Sequence, residues 1–222
     1  ADAAHGLGGS YLCGAKIGSC KYSDCTVFSL HPVKSIAAGE GGIITTNDEK
    51  IYRALLRLRS HGINKNDSPY VNIKDAFTNG ENNLWYYEMT TLGFHYRITD
   101  IQASLAASQL TKLDLFATRR RELAHRYSNW IDQHEYFSRA QQVSIDHSAN
   151  HLFTIAIDFE TIGKTRNDVM KELLSHNIIT QVHYIPVVNQ PYYATNGISP
   201  YDYPHSQAYY QSTLSIPLYY SL

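Results

Sequence analysis

Two short apolar runs set the pattern at the start of the chain. Residues 25–30, CTVFSL, and 43–46, IITT, carry β-branched and aromatic side chains at the density of strands, and Gly39, Gly41 and Gly42 punctuate the interval between them. The first run leads straight into His31, Pro32 and Lys34, which puts an ammonium group at the end of a hydrophobic strand. Asn47 or Asp48 is placed to cap a helix predicted through about His61, with Ile51, Leu55 and Leu58 recurring at helical spacing toward the sheet and Gly62 as the stop. From Ile63 to Arg97 the periodicity collapses and Asn, Asp, Gly and Pro become frequent. A loop of that length inside a compact domain is functional or a docking segment. Its stretch LWYYEMTTLGFHYR concentrates aromatics, which reads as an interface or packing cluster.

Thr99 and Gln102 fit a capping box, so a helix is predicted to begin there. Ile101, Leu105, Leu110, Leu113 and Phe116 supply an apolar stripe, and the pattern continues toward Trp130 with a break near Thr111. Beyond this hinge, HLFTIAIDF at 151–159 reads as a strand. Thr165 opens a helix through His176 with Val169, Leu173 and Leu174 inward. ITQVHY reads as another strand, a short helix follows near 206–211, and TLSIPL closes the pattern. Alternating strands and helices predict an α/β fold, with one domain over 1–110 and a smaller α/β domain over 111–222.

The totals narrow the class. With 222 residues, 43% of them hydrophobic, the chain can bury a sizeable core. Nineteen basic against twenty acidic residues give no electrostatic footprint for nucleic acid, and the run Arg119, Arg120, Arg121 reads as the solvated face of a helix. No apolar run approaches a membrane span and no signal peptide opens the chain, which reads as cytoplasmic. Cys13, Cys20 and Cys25 are odd in number and lack CxxC spacing, so free thiols are expected; without an HExxH, no metal site is expected. The chain opens on ADAAHGLGGSY, small residues resembling the tail of a strand, and is expected to be the later part of a longer polypeptide.

Candidate chemistry gathers near both early strands. Asp2 is followed three residues later by His5, Ser29 precedes Lys34 by five residues, and the glycines turn the backbone just after the lysine. A carboxylate, a hydroxyl and a lysine on neighbouring strand ends are what a pyridoxal phosphate site needs from a protein. The lysine condenses with the aldehyde, the acid keeps the pyridine nitrogen protonated, and the hydroxyl helps to hold the phosphate. Each residue also has an ordinary use: Lys34 in solvent, Asp2 as a cap, Ser29 on a backbone group, His5 in packing.

The blocks DAAHGLGGSY, SDCTVFSLHPVKSIAAGEGGIITTND, RLRSHGI, WYYEMTTLGFHYRITDIQASLAASQLTKLDLFATRRRELAHRY and QVHYIPV resemble the nucleotide-sugar aminotransferases of the DegT/DnrJ/EryC1/StrS family. The resemblance implies a pyridoxal phosphate-dependent transferase fold of the aspartate aminotransferase type (type I). Residues 1–110 would be the later part of its large domain and 111–222 its small one. It implies a homodimer with glutamate and a nucleotide sugar as substrates. NHLFTIAI, QVHYIPV and YYQSTLSIPLYYSL resemble members that aminate a UDP-linked 4-keto-6-deoxy N-acetyl sugar. By motif, Lys34 corresponds to the Schiff-base lysine and Asp2 to the acid at the ring nitrogen. His5 stands beside the cofactor ring, and Ser29 where a serine contacts the phosphate. His95 occupies a position commonly Asn, which reaches the neighbouring subunit's cofactor phosphate, and Arg97 follows it. His183 and Tyr184 border the sugar nucleotide. Dehydratases of the family replace the lysine, so Lys34 argues against that activity. The half that precedes DAAH in the family is not among these residues, which leaves a non-catalytic truncated member as the other alternative.

Overall fold

The computed structural model describes residues 1–65 and 68–222; Asn66 and Asp67, inside the long loop read from the sequence, lie outside the described residues. The chain forms two compact units, residues 1–4 with 17–111 and residues 5–16 with 112–222.

The first unit is built on β1 (Cys25–Ser29) and β2 (Gly42–Thr46), an antiparallel pair with Val27 opposite Ile44 and Ser29 opposite Gly42. Alternation along β1 sorts its side chains: Thr26 and Phe28 are buried, and Leu30 just beyond the strand is buried too, while Val27 and Ile44 face out. Residues 1–3 add to the free edge of β1 in parallel, through Ala3 N–H to the Val27 carbonyl (2.9 Å) and Val27 N–H to the Ala1 carbonyl (3.0 Å). Helix α1 (Glu49–Leu58) starts where the Asp48 carboxylate accepts the amides of Lys50 and Ile51. It ends short of the predicted His61, and none of its residues is fully buried. At Gly62 the backbone has φ 70°, and a Cβ there would stand 1.8 Å from the Thr91 carbonyl oxygen, so only glycine lets the two segments close.

The stretch read as a loop carries short ladders: β3 (Ile63–Asn64) pairs with β6 (Glu88–Met89), and after α2 (Ile73–Ala76) a tight hairpin joins β4 (Phe77–Thr78) to β5 (Glu81–Asn82). Its organising residue is Glu88. The carboxylate accepts the Val71 amide (2.7 Å), the Asn72 amide (3.1 Å) and the Tyr86 hydroxyl (3.0 Å). Tyr70, Ala76 and Tyr86 form a small core beside it. Of the aromatic cluster, Tyr86 is therefore packed, whereas Leu84, Trp85 and Tyr96 stand in solvent. Helix α3 (Asp100–Leu110) begins on the expected reciprocal box between Thr99 and Gln102. Its apolar stripe is not buried as expected: Ala106 is its buried residue, and Ile101, Leu105 and Leu110 are exposed.

The second unit packs α4 (Leu113–Ile131) on an antiparallel sheet of β7 (Phe137–Arg139), β8 (Phe153–Ile157) and β9 (Thr213–Ile216), in the order β7-β8-β9. Leu123, Ala124, Ile131, Phe153, Ile155, Ile157 and Leu214 form its core. Helix α5 (Arg166–Ser175) opens on a second capping box, Thr165 with Asp168, and turns Val169 and Leu173 toward that core. Leu174, expected inward, is exposed, because at 3.6 residues per turn it lies about 100° round the helix from Leu173 and about 140° from Val169, outside their stripe. The expected strand ITQVHY is reduced to one bridge between Gln181 and Ser215, and α6 (Pro191–Ala194) and α7 (Pro204–Ser212) lead into β9.

The arginine run also departs from its reading as a solvated face. Arg120 is buried and donates from one Nη to the carbonyls of Asn150 (3.3 Å), His151 (3.2 Å) and Leu218 (2.7 Å). Burial pushes the pKa of its guanidinium down. Arg121 reaches the Ser148 and Gly8 carbonyls, so two of the three arginines staple loops to α4. Among the described residues no helix is long and apolar enough to cross a membrane, and Cys13, Cys20 and Cys25 are free thiols.

Two predictions follow from these contacts. Leu214 is fully buried, so Leu214→Ala should lower the unfolding free energy by about 2–5 kcal/mol in a urea titration. The Val71 amide above all, with the Asn72 amide and Tyr86 hydroxyl, holds the Glu88 carboxyl below its usual range against the opposing effect of burial. A folded value below the unfolded one, about 4.3, makes this contribution full above that pH and lost as pH falls through the folded value. Protection factors of the Val71 and Asn72 amides should fall over that acid window, and Glu88→Ala should remove the protection at every pH.

Candidate active site

In the first unit, pairing with β1 decides where the candidate groups stand. Asp2 lies opposite Val27, so their side chains project to the same face, and Ser29, two residues on, shares it. That face is open: Asp2 is exposed, and Val27 and Ile44 keep 41% and 46% of their surface. Asp2 spends one carboxylate oxygen on the Ala4 amide (2.9 Å); its other oxygen has no partner among the described residues. Ser29 Oγ accepts the His31 amide (3.3 Å) and retains its own hydrogen to donate.

Lys34 follows in the loop that joins β1 to β2. The loop is cinched at its base by Leu30 N–H to the Gly41 carbonyl and Ala38 N–H to the Leu30 carbonyl, and turned by Lys34 N–H to the His31 carbonyl, each at 2.9 Å. The His31 ring braces the turn by accepting the Val33 amide at Nδ1 (3.3 Å), and its Nε2 lies 3.8 Å from the Glu40 carboxylate. Of the nine lysines in the chain, eight are exposed and Lys34 alone is half-buried. Its ammonium has no hydrogen-bond or ion-pair partner among the described residues. A half-buried lysine without a partner among the described residues, downstream of a strand whose open face carries a carboxylate and a hydroxyl with unspent capacity, fits the donor set that pyridoxal phosphate requires.

His95 and Arg97 lie on a segment laced to the end of α1: His61 N–H donates to the Phe94 carbonyl, and Ser60 bridges His95. The His95 ring meets His61 edge-on at 5.4 Å, and Arg97 is exposed. No hydrogen bond or ring contact among the described residues joins either of them to Asp2, Ser29 or Lys34.

In the second unit, the His5 ring tilts against His151 at 4.4 Å. His183 holds Ser215 Oγ at 2.8 Å through Nδ1, and Tyr184, 60% exposed, stands edge-on to the His183 ring at 4.6 Å. Sequence reasoning passed over Ser215 and its neighbour Thr154. The available signal was two hydroxyls inside the strand patterns HLFTIAIDF and TLSIPL, where apolar residues would be expected.

The family model described as the DegT/DnrJ/EryC1/StrS aminotransferase family matches residues 1–222. Among curated proteins, the chain is 36% identical over 225 residues to the spore coat polysaccharide biosynthesis protein SpsC of Bacillus subtilis, covering 100% of this chain and 54% of that protein. It is 32% identical over 216 residues to the UDP-4-amino-4,6-dideoxy-N-acetyl-beta-L-altrosamine transaminase of Campylobacter jejuni, covering 97% and 52%. Among solved structures, Helicobacter pylori PseC, an aminotransferase involved in the biosynthesis of pseudoaminic acid, superposes with a TM-score of 0.83 at 26% identity, over 100% of this chain and 54% of that one. The PLP-form of the putative sugar aminotransferase Spr1654 from Streptococcus pneumoniae gives 0.80 at 27%, over 100% and 52%. The chain thus spans about half the length of the relatives it matches.

Proposed function

The chain belongs to the DegT/DnrJ/EryC1/StrS aminotransferase family, and from that membership we propose that it serves the transfer of an amino group from glutamate to a 4-keto-6-deoxy nucleotide sugar. Pyridoxal phosphate is the cofactor of the family. A UDP-linked N-acetyl sugar is favoured, because the Campylobacter and Helicobacter relatives are named for such chemistry, the amino sugar of the one and pseudoaminic acid of the other. SpsC is named for a spore coat polysaccharide, which supports surface glycan synthesis as the wider setting. We assign residues 1–110 to a large cofactor-binding domain and 111–222 to a small one, a reading supported by compact units that part between 111 and 112. The active form is a cytoplasmic homodimer.

Bound to this chain, pyridoxal phosphate supplies the electron sink that accepts the pair left when a substrate carbon loses its proton. Lys34 would hold the cofactor at its aldehyde carbon through Nζ, and its amine would be the group placed to carry a proton to and from the substrate carbon. The Asp2 carboxylate, one oxygen still unspent, would pair with the pyridine N–H and favour its charged form. Ser29 Oγ would donate to a phosphate oxygen, His5 would pack beside the ring, His95 would reach the neighbouring subunit's cofactor phosphate, and Arg97 would contact the substrate. His183 and Tyr184 border the nucleotide sugar. The carrying observation is the solitary half-burial of Lys34 among nine lysines.

Treatment with pyridoxal phosphate, borohydride reduction and peptide mapping test it. The pyridoxyl adduct should concentrate on Lys34 over the eight exposed lysines and vanish in Lys34→Arg. Asp2→Asn should weaken its formation about tenfold or more, the scale of losing a hydrogen bond to a charged group. Label spread evenly over the surface lysines, and unchanged by Lys34→Arg, would leave the proposal without its nucleophile.

A further inference from the structure

Beyond α5 in the second unit, residues 182–186 run outside any helix or strand and end in a single 3-10 turn (Val187–Asn189). The segment is tied at both ends. At its start, Gln181 exchanges both backbone hydrogen bonds with Ser215 of β9 (3.0 and 2.8 Å). At its end, Asn189 Nδ2 donates to Gln207 Oε1 (3.0 Å) and Gln207 Nε2 donates back to Asn189 Oδ1 (2.7 Å), a reciprocal pair of half-buried amides that reaches across to α7. Helix α7 is itself fixed. Arg166, the first residue of α5, donates to the Tyr210 and Thr213 carbonyls and lies over the Tyr210 ring at 4.7 Å. Between the two ties Tyr184, Ile185 and Val187 stand exposed.

Hydrogen bonds within the protein replace bonds to water, so the amide pair contributes little net stability. What two reciprocal bonds add is geometry. One bond lets a side chain swivel about it, whereas two parallel bonds between planar amides fix both distance and twist, and turning either amide alone would set oxygen against oxygen and nitrogen against nitrogen. A segment held in this way presents its exposed apolar side chains in one arrangement, so that little ordering is left for a ligand to impose.

We infer that Asn189 and Gln207 are positioning residues for nucleotide-sugar binding: their paired amides hold the 182–188 segment where Tyr184 offers its ring to a ring of the ligand. An aromatic face beside aliphatic side chains suits the flat surface of a base or the apolar face of a sugar. The ligand rests on the proposed function, in which Tyr184 borders the nucleotide sugar; the clasp does not.

The test combines side-chain amide NMR with titration of UDP-N-acetylglucosamine into the 222-residue chain. Without ligand, the Asn189 and Gln207 side-chain amides should each show one hydrogen protected from exchange. Asn189→Asp and Gln207→Glu preserve volume but bring two acceptors face to face. Each should weaken binding about threefold to tenfold, the scale of one lost hydrogen bond. Exchanging the amides, Asn189→Gln with Gln207→Asn, should recover binding. With Tyr184→Ala already present, Asn189→Asp should change binding by less than about twofold, because the ring that it positions is gone. Backbone amide spectra establish that each variant is folded. Freely exchanging side-chain amides in the parent would remove the clasp. Parent binding unmoved by Asn189→Asp, or weakened equally with and without Tyr184, would overturn the positioning role alone. Absence of binding to the parent would overturn it together with the nucleotide-sugar reading.

Discussion

The candidate site depends on a two-bond contact, the parallel pairing of residues 1–3 with Val27. A parallel neighbour in a sheet is joined by evenly spaced slanted hydrogen bonds and has no tight turn to hold it, so its register rests on the backbone groups and on which side chain fits inside. Here Ala3 goes in, buried, and Asp2 comes out beside Val27 and Ser29. A slip of one residue would exchange the two, burying a carboxylate where the unit holds Phe28 and Leu30. The burial cost of that slip is what keeps the acid on the open face, the same face from which β1 runs on toward the lysine.

Each unit buries a core and leaves further apolar side chains in solvent, Ile179 and Tyr201 among them in the second. The second closes a core in which α4, β8, β9 and the inner side of α5 all take part. The first buries Phe28, Leu30, Ile36 and Ala38 but leaves Val27, Ile44, Ile101, Leu105 and Trp85 in solvent. Exposed apolar residues on an open sheet face and along one helix are the surfaces on which chains recruit ligands or partners. It is in this unit that the acid, the hydroxyl and the lysine are found.

Features that depend on residues three or four apart were legible in the sequence. Thr99 with Gln102 announced α3 because the box is closed within one turn, and the helix opened by Thr165 was visible for the same reason. Arg120 was misread because its partners are carbonyls 30, 31 and 98 positions away, and nothing in a run of three arginines says which one the fold will enclose. Glu88 was missed likewise: a carboxylate in an aperiodic stretch gives no sign that the amides of Val71 and Asn72 will close around it. For the candidate site, motif resemblance named Lys34, Asp2 and Ser29, but the Asp2–Val27 pairing that gives two of them a common face spans 25 residues and has no local signature.

Hydrogen-bond satisfaction differs between two carboxylates of the second unit and Lys34. Asp158 is held below the usual carboxylate range by the Thr161 hydroxyl and amide, and Asp168 by the Thr165 hydroxyl and amide. Each carboxylate is used up by a turn or a cap, and its charge is answered within a few residues. Lys34 is different: the residue is half-buried and its ammonium has no hydrogen-bond or ion-pair partner among the described residues. An exposed lysine without a partner means nothing, since water solvates it fully. The loop that carries Lys34 is braced by His31 and closed between Leu30 and Gly41.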